Sequence, residues 1–143
     1  MTFTPKDPEY AARVRTSFAA QRVMATIGAA LTHVGPGEVD ITLPFREDLT
    51  QQDGFLHAGM LATVADSACG YAAYTLMPAT ANVLSIEFKI NMLAPAVGTS
   101  VTARARVVRA GRTITVCHAD VFALRDGPEK LVASMVGTMM TVP

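Results

Sequence analysis

Residues 57–76 read HAGMLATVADSACGYAAYTL. This stretch is rich in alanine, methionine and leucine and has no interior proline. Met60, Leu61, Val64, Ala65, Ala68, Cys69, Ala72 and Leu76 cover most of a helical circumference, and Pro78 lies just beyond as a stop. A helix that is apolar nearly all round belongs in the centre of a domain. Its polar exceptions, Thr63, Asp66, Ser67 and Gly70, fall on one narrow stripe.

The flanking chain supplies what such a helix needs as a cover. On the amino-terminal side, Tyr10, Val14 and Phe18 mark an amphipathic helix from about residue 9 to 20. Pro8 is expected in its first turn, and a shorter helix follows over 19–27. Residues 30–34 and 38–44 read as strands joined by Gly35-Pro36-Gly37, and 46–55 as a polar loop. On the other side, Leu84, Ile86, Phe88, Ile90 and Met92 alternate with polar residues and predict a strand whose apolar row faces the core. Val101 to Val107, residues 113–124 and residues 130–140 predict three more, with hairpin turns at Ala110-Gly111 and Asp126-Gly127. Short connections between these strands require antiparallel pairing. The expected fold is α+β: a curled antiparallel sheet wrapped around a long central helix, in a single domain over residues 1–143 with N-terminal helices at about 8–27. This is the shape of the hotdog fold.

The chain has 143 residues, half of them apolar, and its 12 Lys+Arg balance its 12 Asp+Glu. That balance argues against nucleic-acid binding, and it favours self-association, since little charge repulsion opposes it. No stretch is long and apolar enough to span a membrane and no leader precedes the fold, so a cytoplasmic protein is expected. Cys69 and Cys117 have neither disulfide nor zinc-ligand spacing and read as buried thiols. His33, His57 and His118 lack the spacing of a helical metal site, and no metal is expected. No serine stands in a G-x-S-x-G elbow, and no phosphate-binding glycine loop is present. His118 and Asp120 share one side of a strand and read as a surface or interface pair.

Asp66 is the only acid between Asp53 and Glu87, and it lies in the most apolar helix of the chain. An unpaired carboxylate is expensive to bury, so it marks either an interface or a site. His57 stands at the start of the same helix. There the N–H groups of Ala58 and Gly59 are expected to point outward, where they can hold a developing negative charge. Asp66 is nine residues on, about 13.5 Å along the axis and half a turn round. Both ends of one helix therefore cannot serve one substrate atom, and a site using both needs two copies of the chain.

The run Gln51-Gln52-Asp53-Gly54-Phe55-Leu56-His57-Ala58-Gly59, followed by Asp66, resembles the hotdog acyl-CoA thioesterases of the phenylacetate-pathway (PaaI-type) group. The resemblance continues through residues 84–96 (LSIEFKINMLAPA) and 107–116 (VVRAGRTITV). It implies hydrolysis of an acyl-CoA to a free acid and coenzyme A, with no cofactor beyond the coenzyme A of the substrate. Asp66 would attack the thioester or activate water, and the Ala58 N–H would polarise the carbonyl. His57 and Gln51 would orient substrate and leaving group, and Ser85 would hold the water. Arg109, Gly111 and Arg112 would meet the coenzyme A phosphates. The assembly it implies is a dimer at least, and a tetramer. Two departures stand out: Ala58 where the group often has glycine, and Gln51 where some members have asparagine. A hotdog hydratase or dehydratase and a non-catalytic acyl-CoA-binding module are the alternatives. Met60, Met77 and Met92 suggest an adaptable apolar pocket, although filling core gaps is the plainer reading.

Overall fold

The computed structural model describes residues 1–143. Two helices come first, α1 (Tyr10–Ala20) and α2 (Arg22–Ile27), then β1 (Ala30–Gly35) and β2 (Glu38–Pro44). A single 3-10 turn (Glu47–Leu49) leads to α3 (Ala58–Tyr74), followed by β3 (Asn82–Met92), β4 (Ser100–Ala110), β5 (Ile114–Leu124) and β6 (Lys130–Val142). The six strands form one sheet in the order β1-β2-β4-β5-β6-β3, with every neighbouring pair antiparallel. The sheet curls round α3, which packs against β2 to β6. This is the hotdog architecture expected from the sequence.

The contact between helix and sheet is made of small side chains. Ala65, Ala68 and Ala72 of α3 are fully buried, as are Ala103, Ala105 and Ala119 on the sheet. Small residues on both surfaces let the backbones approach, and Val39, Ile41, Leu43, Val121 and Met135 fill the space around the crossing. Cys69 and Cys117 meet there, with the Cys117 thiol donating to the Cys69 carbonyl at 3.4 Å. Hydrogen bonding with Cys117, together with burial, pushes the Cys69 thiol up, so it is no thiolate nucleophile.

Three expectations need correction. Helix α1 begins at Tyr10, and Pro8 lies in the turn ahead of it. The second helix starts at Arg22, because Gln21 takes an extended backbone (φ −78°, ψ 96°) and breaks the run. The apolar row of β3 is left largely outside the core: Leu84 is 57% exposed, Phe88 44% and Met92 43%, and only Ile90 of the row packs against it. β3 is the last strand of the sheet, bonded to β6 on one side only, and a bulge between Ser85 and Glu87 shifts its phase. α3 packs against β3, but a strand at the edge of the sheet is covered by it only in part, so most of that row stays open.

The N-terminal segment is clamped to the far end of α3. Arg13 donates to the carbonyls of Tyr74 (3.0 Å), Met77 (2.8 Å) and Pro78 (2.6 Å), lies 4.2 Å over the Tyr74 ring, and pairs with buried Asp7 at 3.1 Å. One guanidinium thus supplies a bond to the Met77 carbonyl and a second bond to those of Tyr74 and Pro78, which already accept from the Met77 and Ala81 N–H groups. Arg13→Ala removes those bonds and strands the Asp7 charge. It is expected to cost about 3–5 kcal/mol, measured from the shift of the denaturant midpoint at unchanged slope.

Candidate active site

The polar stripe of α3 opens into the space between α1 and the β3 edge of the sheet. Asp66 lines a cavity of ≈ 390 Å³ with Ser17 and Gln21 from α1 and its end, Ser67 and Tyr71 from α3, and Ser85 from β3. Gln21 Nε2 donates to Ser67 Oγ at 3.1 Å, and the Ser17 and Tyr71 hydroxyls are 3.3 Å apart. The lining offers Asp66 hydroxyls and no cation. Burial pushes its carboxyl above the usual carboxylate range, and hydrogen bonding from Ser85 pulls it part of the way back. Asp66 Oδ1 and Gln21 Oε1 are both buried without a partner inside the protomer, a cost the fold alone does not offset.

Gly70, one turn beyond Asp66, lines the same cavity. Its φ is not in the left-handed region, and a Cβ built on it meets nothing within 4 Å. A glycine in a helix interior costs about 0.5–1 kcal/mol relative to alanine, with no local geometry here to require it.

The amino end of α3 is organised separately. His57 is the N-cap, and its Nδ1 accepts from the Gly59 N–H at 2.8 Å. The Met60 N–H goes to the His57 carbonyl at 2.9 Å. Of the two outward N–H groups expected at this terminus, Gly59's is therefore taken, because the imidazole folds back over the first turn. Ala58's N–H has no acceptor within the protomer. Gln51 braces the loop before the helix: its Oε1 accepts from the N–H of Asp53 (2.6 Å) and of Phe55 (3.3 Å). Gln51 and Ala58 line an apolar groove of ≈ 400 Å³ with Phe55, Met92 and Leu93. His57 borders a smaller hollow beside Met60. All three methionines singled out border hollows, Met60 and Met92 near the amino end of α3 and the largely buried Met77 near its carboxyl end.

The candidate residues thus fall into two groups. Asp66 and Ser85 are together; Gln51 and Ala58 are together, with His57 adjacent. None of the five main cavities of the protomer joins the two sets. A third set forms the turn between β4 and β5. Gly111 donates its N–H to the Ile114 carbonyl at 2.8 Å, and a Cβ there would stand 2.5 Å from that oxygen, so only glycine closes this turn. Arg109 and Arg112 are exposed, and neither enters an ion pair of the protomer. Arg112 borders a hollow of ≈ 290 Å³ that Lys6 and Thr4 also line. His118 lies 2.9 Å from Ser134 Oγ and 3.4 Å from Asp120, half-exposed and lining none of the main cavities. It reads as a surface pair.

Ser17, Gln21 and Tyr71 are site residues that the sequence did not announce. Ser17 and Gln21 approach Asp66 because α1 docks across α3, which no local pattern encodes, and Tyr71 lies on α3 itself.

Residues 53–129, more than half of the chain, match the profile of the Thioesterase superfamily. A Halobacterium salinarum protein named as a candidate esterase is 32% identical over 109 residues, which span 73% of this chain and 72% of that one. A solved thioesterase family protein from Silicibacter pomeroyi is 53% identical and superposes with a TM-score of 0.92, covering 93% of this chain and 98% of the other. The PaaI protein of the Escherichia coli phenylacetic acid degradation operon shares the fold, with a TM-score of 0.85 at 18% identity over 94% of each chain. With its fold, its matched segment and its close solved relative in agreement, the chain belongs to the thioesterase superfamily, in its hotdog form, and is a thioester hydrolase.

Proposed function

We propose that the substrate is an acyl-CoA and that each site is shared between two copies of the chain. The observation that carries this reading is the division along α3: the desolvated carboxylate of Asp66 lies in one cavity, and the open N–H of Ala58 lies at the far end of the same helix. β3 supports it. Its free edge bears unpaired backbone groups and the exposed row Leu84, Ile86, Phe88 and Met92, the kind of edge that pairs with another strand. Two copies joined edge to edge about a two-fold axis lay their α3 helices side by side and antiparallel, so that Asp66 of one faces Ala58 of the other. Two such dimers make the tetramer.

In this reading Asp66 takes a proton from a water held by Ser85, and the water oxygen attacks the thioester carbon. The oxyanion that forms is received by the Ala58 N–H at the positive end of the other copy's α3. His57 and Gln51 orient the thioester and its leaving group. The tetrahedral adduct expels the coenzyme A thiolate, and the proton held by Asp66 returns to sulfur. Arg109 and Arg112, flanking the tight turn at Gly111, take the phosphates of the nucleotide, and no cofactor is needed beyond the coenzyme A of the substrate.

The test is thiol release from a panel of acyl-CoAs and from the matching acyl-pantetheines, which lack the nucleotide. The wild type is expected to favour the coenzyme A esters, and the double variant Arg109→Ala, Arg112→Ala to lose that preference through a KM raised roughly tenfold or more. Equal handling of both ester types by the wild type, or no turnover of any acyl-CoA, overturns the assignment.

A further inference from the structure

We infer that Gly70 sets the breadth of the acyl group that the Asp66 cavity admits, and that the cavity is shaped for a ring or a branch close to the carbonyl; this rests on the acyl-CoA reading above. Gly70 follows Asp66 by four residues, so it lies on the same face of α3, roughly 6 Å further along the axis. Atoms a few bonds beyond a thioester carbonyl held at Asp66 reach this level.

Nothing in the fold asks for glycine here. At Gly111 an added Cβ would strike the Ile114 carbonyl at 2.5 Å, whereas at Gly70 it stands in open space. The backbone of Gly70 is not in a region that favours glycine either. At 62, 65, 68, 72 and 73 α3 uses alanine, and at its other glycine, Gly59, a Cβ would stand 3.0 Å from the His57 ring. Alanine is the better helix former, so this one position gives up a methyl group where the methyl would clash with no protein atom. The space it leaves open belongs to the cavity of Asp66, whose lining includes the apolar side chains of Ala20, Val83 and Met139. A straight two-carbon acyl group does not use that space; a ring does, in a lining that includes Met139 and Tyr71.

The experiment compares the wild type with Gly70→Ala and Gly70→Val. Four quantities are read: thermal midpoint, solution mass, kcat/KM for acetyl-CoA and benzoyl-CoA, and binding of the two matching analogues with methylene in place of the thioester sulfur. Gly70→Ala is expected to raise the midpoint by roughly 2–5 °C. It should also lower the benzoyl-to-acetyl ratio of kcat/KM about tenfold, and Gly70→Val about 100-fold. Acetyl-CoA turnover should fall far less than benzoyl-CoA turnover, and mass should hold. A rise in stability together with narrowed specificity is a result that a purely structural glycine cannot give. An unchanged ratio, a parallel loss on both esters, or dissociation of the assembly overturns the inference. If the wild type hydrolyses neither ester yet binds the benzoyl analogue, and Gly70→Val loses that binding alone, the acyl-CoA hydrolysis reading fails and the role of Gly70 stands. If analogue binding too is indifferent to Gly70, the role of Gly70 falls.

Discussion

Asp66→Asn is expected to cut thioester hydrolysis by about 10²–10⁴-fold, the usual contribution of a positioned general base, and at the same time to raise the thermal midpoint near neutral pH. The two effects have one cause. Burial holds the Asp66 carboxyl above the ordinary carboxylate range, so the fold prefers it protonated. A group whose folded pKa is raised contributes stability that is fully present below its unfolded pKa and is lost as pH rises through the folded one. At neutral pH the wild type bears the cost of a desolvated carboxylate with one oxygen unpartnered, and asparagine of the same shape removes the charge. The wild-type midpoint should therefore fall relative to the variant as pH climbs through that window, and the difference should vanish in acid. Activity runs the opposite way, because only the deprotonated form accepts a proton. Its acid limb should lie above the range of an exposed aspartate. Thermal melts and kcat measured over one pH series decide both. A variant no more stable than the wild type at neutral pH, or one that keeps most of the activity, removes Asp66 from the centre of the mechanism.

Ala58→Pro carries the second large effect. Ala58 is the first residue of α3, where proline fits the helix and its missing N–H breaks no internal bond. The preceding His57 already has the extended backbone that proline requires of its neighbour (φ −60°, ψ 138°). The substitution thus deletes one donor and leaves the helix in place, and it should lower kcat by about 10²–10³-fold. Mixing is the sharper measurement. If Asp66 of one copy works with Ala58 of the other, a dimer of one Asp66→Asn chain and one Ala58→Pro chain has one intact site and one doubly defective site. Unfolding and refolding the two inactive proteins together should restore roughly a quarter of wild-type activity, since about half of the dimers are mixed and each carries one working site. Were both groups to act within one chain, every site in every combination would be damaged, and the mixture would stay as inactive as its parts.

The strands and the central helix were legible because their signals are local. The alternation Val39, Ile41, Leu43 against Asp40 and Thr42 places β2 and its buried face correctly, and the apolar circumference of 57–76 gives α3 within two residues at either end. Asp66 stood out for the same reason, as a lone acid in an apolar run. The alternation of β3 was read correctly as strand and wrongly as core. Periodicity gives two faces, and only the position of a strand in the sheet says whether either is covered. The imidazole of His57 closing on the Gly59 N–H is a rotamer choice, which spacing does not encode. Ser17 and Gln21 reach the cavity because α1 lies across α3 and because Gln21 leaves the helical backbone, a break marked by neither proline nor glycine.

The placement of α1 has an evolutionary corollary. The matched superfamily segment begins at residue 53 and so includes the helix that bears Asp66, but not the two helices that roof it. Part of the wall of the Asp66 cavity, Ser17, Ala20 and Gln21, is thereby written outside the stretch that bears Asp66. Relatives can vary the inward face of α1 and so reshape that wall, while the helix that bears Asp66 and the strands that hold it are inherited intact.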